Sequence, residues 1–146
     1  MKTGVIIAFI IGTVVIGLMG WVRLAPSKPG HWHHLSDQTG AGQVTRPGGH
    51  ILRRAVNPDQ AHDLLARLDR IALATPRTAR LAGSVEEGRI TYITRSRIFG
   101  FPDYTTVGLD DGMLEIHARL RFGHSDLGVN RARVQAWVSA LDAGES

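Results

Sequence analysis

The chain begins with an uninterrupted apolar run, Gly4–Val22, that contains no charged residue. At about 1.5 Å of rise per residue, a helix of this length matches the roughly 30 Å hydrocarbon core of a bilayer. Lys2 precedes the run, and Trp21 and Arg23 stand where it would meet the second interface. The pattern predicts a membrane anchor over residues 1–24. A cleaved signal peptide is the alternative, but its apolar region is usually shorter.

The charges that flank this run do not decide its orientation. Lys2 and the terminal amine lie on one side, and Arg23 and Lys28 lie on the other. A short N-terminus followed by one span is typical of a signal anchor, which places the following domain outside the cytoplasm. We therefore expect a single-pass protein of a bacterial cell (inner) membrane, with its domain in the periplasm.

Residues 25–49 show no hydrophobic period and are rich in proline and glycine, so they are interpreted as a linker. The linker contains His31, Trp32, His33 and His34 in succession. Closely spaced imidazoles can bind a transition metal, although only Asp37 is near enough in sequence to assist. An aromatic cluster at the membrane surface is the alternative. No metal site and no cofactor is predicted, and the sequence leaves open whether these histidines bind a metal.

A folded domain is predicted over residues 50–143. A short strand is predicted at His50–Val56. Asn57 and Pro58 then provide a helix cap and a first helical residue, and the helix ends before Pro76. Its apolar residues recur at helical spacing: Ala61, Leu64, Leu65, Leu68, Ile71 and Ala72.

From Thr78 onward the hydrophobic period becomes two residues, which is typical of β-strands. Four strands are predicted: Thr78–Val85, Arg89–Ile98, Asp103–Leu109 and Met113–Phe122. A closing helix is predicted over Asn130–Leu141. The expected fold is therefore α+β, a small antiparallel sheet in the order β-α-β-β-β-β-α with two helices on one face.

The basic residues are mostly arginine, since Lys2 and Lys28 are the only lysines among 17 basic residues. The net charge is +4 and the isoelectric point about 10.3. Guanidinium groups pair well with phosphate and carboxylate, although a GC-rich genome gives the same bias. The basic residues are scattered and aromatic residues make up only 6%, so nucleic acid is not an expected partner. The absence of cysteine excludes disulfides, a cysteine nucleophile and thiolate metal sites.

The first candidate site is the polar face of the predicted sheet. Strand alternation places Arg119 and Arg121 on one side of the last strand, together with His117. If the arginines of the preceding strands share that side, the surface would attract an anionic ligand, a lipid head group or a protein partner. A solvated face with cross-strand ion pairs is the alternative. The predicted anion-binding residues are Arg95, Arg97, Arg119, Arg121 and Arg131.

The second candidate site is the turn that leads into the closing helix, where we favour a structural role. Gly123 and Gly128 permit positive φ. Ser125 and Asp126 can accept hydrogen bonds from free backbone N–H groups at the helix start, and Asn130 can cap it.

A hydrolase-like reaction is the alternative interpretation of this region. It would use His124 or His117 as a base with Asp126 or Asp103 as its partner. Adjacent residues of one turn do not easily form such a relay, because catalytic triads normally draw on separate segments. No catalytic residue is therefore predicted, and an enzyme is the less favoured class. A structural accessory subunit docked through Gly4–Val22 is a further possibility.

Three motifs resemble a known family. They are Thr75–Arg77 (T-P-R), Arg95–Asp103 (R-S-R-I-F-G-F-P-D) and Arg121–Val134 (R-F-G-H-S-D-L-G-V-N-R-A-R-V). In this order and spacing they resemble the domain-of-unknown-function 1499 family, over roughly Ile51 to Leu141. Members are similar in being small bacterial or plastid proteins, often membrane-attached, without an established reaction. The resemblance implies a domain type and a membrane setting, and it supplies no catalytic residues. The sequence thus predicts a membrane-anchored, non-catalytic binding or accessory module.

Overall fold

The computed structural model describes residues 2–144 of the chain. The helices are α1 (Lys2–Leu24), α2 (Pro29–Trp32), α3 (Pro58–Ala74) and α4 (Val129–Ala143). The strands are β1 (Gly42–Arg46), β2 (Gly49–Ala55), β3 (Thr78–Ser84), β4 (Arg89–Arg95), β5 (Pro102–Asp110) and β6 (Met113–Leu120).

The strands form one open antiparallel sheet in the order β1-β2-β6-β5-β4-β3. The predicted α+β fold with an N-terminal apolar helix is confirmed. The sheet has one strand more than the sequence predicted, because β1 lies inside the segment interpreted as a linker. β1 is exposed on both faces except at Val44, so it has no hydrophobic alternation to reveal it. Backbone pairing with β2, with Val44 opposite Ile51, holds it at the sheet edge.

The hydrophobic core lies between the sheet and the two long helices of the domain. α3 and α4 contact each other and pack on the same sheet face. α3 begins as predicted, because the Asn57 side chain accepts a hydrogen bond from the N–H of Asp59. Buried side chains from both helices meet those of the central strands, and include Leu65, Leu68, Trp137, Leu141, Tyr92, Val107 and Ile116.

Two strands, β4 and β6, end two or three residues earlier than their hydrophobic pattern predicts. β4 stops at Arg95 because the chain closes a loop there. The N–H of Ser96 donates to the Phe101 carbonyl (2.9 Å) and the N–H of Gly100 donates to the Ser96 carbonyl (3.2 Å). β6 stops at Leu120, whose N–H makes a last bond to the Gly48 carbonyl (2.8 Å). Both loops therefore lie at the same end of the sheet.

α1 projects from the domain. It is long and apolar enough to cross a membrane, with a mean hydropathy of 2.6. Val22 is the only residue of the helix that is buried, within the part of the chain that the structure describes. The domain therefore contacts the last turn of α1 and leaves the rest of its apolar surface uncovered.

Candidate functional site

The polar face of the sheet, opposite α3 and α4, is covered by residues 25–39, which we call the connector. The connector contains the short helix α2 and lies against β4, β5 and β6. Glycines in two strands allow its close approach. A Cβ atom at Gly108 would lie 3.1 Å from a methyl carbon of Leu35, and one at Gly83 would lie 2.6 Å from the His33 ring. The segment interpreted as a linker is thus packed against the sheet.

Arg119 holds the connector against the sheet. Its guanidinium donates to the Trp32 carbonyl, to the hydroxyl of Thr106 (2.7 Å) and to Nε2 of His34 (2.9 Å), and it lies over the Trp32 ring at 5.6 Å. Burial lowers the pKa of Arg119 to about 10, so the group keeps its charge at neutral pH. Arg119 faces the side predicted from strand alternation, but its hydrogen bonds are made within the protein.

Arg121 also donates hydrogen bonds within the protein, near the C-terminal end of α1. Its guanidinium donates to the Tyr104 hydroxyl (2.9 Å) and to the Ala25 carbonyl (3.4 Å). The Tyr104 hydroxyl also shares a hydrogen bond with Ser27 (2.7 Å), and the Tyr104 ring stacks on Trp32. Arg119 and Arg121 therefore act as internal hydrogen-bond donors to the connector.

A buried ion pair lies beneath the other end of the connector. Glu115 is 0% exposed. One of its carboxylate oxygens accepts from Arg53 (2.8 Å) and the other accepts from the N–H of Ser36 (2.6 Å). Arg53 also contacts Asp110 at 3.4 Å. Both carboxylate oxygens of Glu115 are hydrogen-bonded, as burial of a charge requires.

Four arginines line one hollow at the end of the sheet beside α1: Arg23, Arg77, Arg95 and Arg97. We call it the arginine pocket, and its cavity volume is about 500 Å³. It brings together the end of α1, the turn between α3 and β3, the end of β4 and the loop after β4. Ser96 and Gly100 complete its lining, and no carboxylate lines it among the residues that the structure describes.

The arginine pocket is fixed by hydrogen bonds to backbone carbonyls. Arg23 donates to the carbonyls of Ile98 and Phe99 (both 3.2 Å). Arg77 donates to the carbonyl of Arg95 (3.1 Å), and Arg95 donates to that of Gly100 (3.2 Å). Each guanidinium has several N–H donors, so donors remain for a ligand. The side chain of Arg97 is exposed and makes no hydrogen bond or ion pair within residues 2–144.

A second opening, the histidine cleft, lies between the connector and the other edge of the sheet. Its cavity volume is about 590 Å³, and its lining includes His34, His117, Arg46 and Asp37. Burial, with Arg119 as a second cause, lowers the pKa of His117 to about 3. No hydrogen-bond partner meets Nδ1 of this neutral imidazole within the described chain. No group of three or more metal-binding side chains occurs in residues 2–144.

The turn before α4 is built by its own side chains. The Asp126 carboxylate accepts hydrogen bonds from the N–H groups of Gly128 (3.0 Å) and Asn130 (2.8 Å). Ser125 accepts one from the N–H of Leu127 (3.2 Å). Gly123 and Gly128 have φ values of 96° and 83°, where a side chain would be strained. These contacts occupy free donors at the start of α4. The prediction that Asn130 caps the helix is wrong, because α4 begins at Val129 and the Asn130 side-chain oxygen accepts a hydrogen bond from Arg133 (2.6 Å).

The histidine and carboxylate pairs considered for catalysis are not hydrogen-bonded to each other in residues 2–144. Asp103 lies on the helix side of the sheet, where it contacts Arg133 at 3.4 Å. His117 lies on the connector side, where its ring meets His34. The Asp126 carboxylate accepts a hydrogen bond from a backbone N–H at the helix start, and His124 is exposed. The sheet therefore separates His117 from Asp103, which is one of the proposed pairs.

Comparison with known proteins identifies the family of this chain. A family model described as "Protein of unknown function (DUF1499)" matches residues 25–141. The chain belongs to the DUF1499 family. The match begins at the connector, so the DUF1499 domain includes residues 25–49 and extends beyond the region over which the motifs showed the resemblance. No curated protein matches the chain.

The five arginines proposed from the sequence thus fall into three places in the DUF1499 domain. Arg95 and Arg97 lie in the arginine pocket. Arg119 and Arg121 hold the connector, and Arg131 lies exposed on α4, on the other side of the sheet. Sequence reasoning did not include Arg23 or Arg77 in the candidate site. The only signals were the place of Arg23 at the end of the apolar run and that of Arg77 in the T-P-R motif.

Proposed function

We propose that this DUF1499 protein is a membrane-anchored, non-catalytic binding module that holds an anionic ligand in the arginine pocket. In this proposal α1 is a retained anchor in a bacterial inner membrane and the domain lies on the periplasmic side. The uncovered apolar surface of α1 supports the anchor, because such a surface is stable in lipid and not in water.

One observation carries the binding proposal: four arginine residues line a single hollow without a carboxylate among its described lining residues. Positive charges that surround one hollow repel each other, so an anion that enters the hollow lowers the free energy of the site. Guanidinium groups also present paired N–H donors that match phosphate and carboxylate oxygens. The pocket therefore suits a phosphate or carboxylate better than a neutral ligand.

The binding proposal is tested by native mass spectrometry of the full-length protein in mild detergent, with analysis of bound lipids and proteins. Arg97→Ala is the decisive variant, because its side chain makes no internal hydrogen bond and its loss should leave the fold intact. We expect an anionic molecule to copurify with the wild type and to be lost from Arg97→Ala.

Arg46→Ala is the matched control, since Arg46 is exposed on the other edge of the sheet and lines the histidine cleft. It should retain the anion. Loss in Arg46→Ala with retention in Arg97→Ala would move the site to the histidine cleft. Retention in both variants, or no anion in the wild type, would refute the proposal.

The orientation is tested separately in a chain that has no cysteine of its own. Glu87 lies exposed in the turn between β3 and β4, so Glu87→Cys offers one accessible thiol. A membrane-impermeant maleimide should label this thiol in cells whose cytoplasmic membrane is intact. Labelling only after lysis would place the domain in the cytoplasm, and an intact mass that lacks residues of α1 would identify a cleaved signal peptide.

A further inference from the structure

The loop between β4 and β5, residues 96–101, presents two large apolar side chains to the outside. Ile98 is 71% exposed and Phe99 is 47% exposed. The loop is closed by hydrogen bonds between Ser96 and Phe101, which also include the Ser96 hydroxyl as acceptor (3.0 Å). These hydrogen bonds fix the shape of the loop and leave its apolar tip uncovered. Exposure of such a tip to water is unfavourable in free energy.

The loop stands beside the end of α1. The guanidinium of Arg23, one residue beyond the uncharged run, donates to both Ile98 and Phe99 carbonyls at 3.2 Å. A Cβ atom at Gly100 would lie 2.7 Å from Nε of Arg23, so the glycine permits this approach. The tip of the loop is therefore level with the place where α1 passes from apolar to charged residues.

A row of aromatic rings connects the helix to the loop. Trp21 lies against Phe122 with ring centroids 6.0 Å apart, Phe122 against Phe101 at 6.2 Å, and Phe101 against Phe99 at 5.6 Å. Aromatic side chains are favoured at the boundary between lipid and water, where an apolar ring meets polar head groups. The row begins on the last turn of α1 and ends at the exposed loop tip.

The charges around the loop suit the same boundary. The arginine pocket is formed by this loop and its neighbours, so its arginine residues lie beside the loop that carries the apolar tip. At a bilayer surface the phosphate groups of the lipids lie just outside the apolar region that Ile98 and Phe99 would enter. Arginine side chains are attracted to an anionic membrane surface.

We propose that the β4–β5 loop is a second membrane contact, in which Ile98 and Phe99 insert into the bilayer interface and lipid phosphate occupies the arginine pocket. The inference rests on the proposed function, since it takes α1 as the anchor and assigns the anion of the pocket to the lipids around it. A domain held at two points has a fixed tilt on the membrane, whereas a domain held by a helix alone can rotate about it.

The experiment measures the depth of the loop in the full-length protein, reconstituted into vesicles of phosphatidylcholine and phosphatidylglycerol. Ile98→Cys receives an environment-sensitive NBD label, which is specific because the chain has no cysteine. Lipids that carry a quenching doxyl group near the head group report contact. Glu87→Cys is the matched control, since the β3–β4 turn lies at the opposite end of the sheet. Unfolding curves of both labelled variants confirm that each remains folded.

We expect blue-shifted emission and quenching of the label at residue 98, and neither at residue 87. A label at residue 98 that is unshifted and unquenched overturns the inference, whatever the arginine pocket binds. Quenching at residue 98 together with loss of copurified phosphatidylglycerol in Arg97→Ala supports both the loop contact and the binding of lipid phosphate in the arginine pocket. Quenching at residue 98 in pure phosphatidylcholine, with no anion lost in Arg97→Ala, supports the loop contact and refutes anion binding in the pocket. Copurification of an acidic protein in place of lipid overturns the lipid assignment.

Discussion

The indole of Trp32 stacks on the ring of Tyr104, with ring centroids 3.9 Å apart and planes inclined by 15°. Trp32 belongs to the connector and Tyr104 to the central strand β5, so this contact joins a segment without hydrophobic periodicity to the middle of the sheet. The Arg119 guanidinium lies over the indole and donates to the Trp32 carbonyl. The connector is therefore part of the folded domain.

Replacing Trp32 with alanine should remove this anchor. We expect Trp32→Ala to lower the free energy of unfolding by about 2 kcal/mol, since the lost contact is aromatic and half-buried. Urea unfolding of the full-length protein in mild detergent, followed by near-ultraviolet circular dichroism, measures the change. Leu127→Ala serves as control, because Leu127 is 94% exposed and its loss should change stability by less than about 0.5 kcal/mol. Equal stability of Trp32→Ala and wild type would show that the connector is not held by this contact.

The buried ion pair between Arg53 and Glu115 should contribute more to stability than a partly exposed ion pair of the same protein. Glu115→Gln removes the charge that neutralises Arg53 in a site that excludes water, so it should cost about 3 kcal/mol. The ion pair between Arg54 and Asp142 is partly exposed, and Asp142→Asn should cost less than about 1 kcal/mol. Denaturant midpoints of the two variants measure the difference. Similar midpoints would contradict the view that burial decides the strength of these pairs.

The Asp126 side chain should stabilise the start of α4. Asp126→Ala leaves the N–H groups of Gly128 and Asn130 without their acceptor, and we expect a loss of about 1–2 kcal/mol. Asp126→Asn keeps one acceptor oxygen and should lose less. Thermal unfolding of the three proteins should show that the wild type is the most stable, Asp126→Asn is intermediate and Asp126→Ala is the least stable. A different order would indicate that the negative charge at this turn, rather than its hydrogen bonds, is what matters.

The stability of the domain should fall in mild acid. The pKa of His117 is lowered from 6.5 to about 3, chiefly by burial, and that of His33 is also lowered by burial. Between pH 6.5 and about pH 3, His117 binds a proton in the unfolded chain and not in the folded chain. Stability from His117 is therefore complete above about pH 6.5 and is lost as pH falls, at up to about 1.4 kcal/mol per pH unit.

The free energy of unfolding of wild type and His117→Gln, measured across this pH range, tests the effect. Glutamine does not titrate there, so the variant should show a shallower decline. His31→Gln is the control, because His31 is exposed in the connector and its change should leave the slope unaltered. Parallel curves for wild type and His117→Gln would exclude His117 as the cause.

Much of this protein follows from its sequence alone. The apolar run, the Asn57 cap with Pro58, and the alternation of Met113–Phe122 are local patterns, and local patterns specify helices and strands directly. The turn before α4 is also local, since Asp126 bonds to N–H groups only a few residues away. For these elements the sequence was sufficient because the interacting groups are neighbours along the chain.

Only the tertiary structure decided where the remaining polar groups act. The connector carries no periodic pattern, yet Trp32 reaches Tyr104 and Ser36 reaches Glu115 across about half the chain. The sequence predicts that Arg119 belongs to an open basic face, but in the structure the connector covers it. Arg23 and Arg77 joined Arg95 and Arg97 because antiparallel strands bring distant turns to one end of the sheet. Such encounters depend on the packing of whole elements, and no short stretch of sequence encodes them.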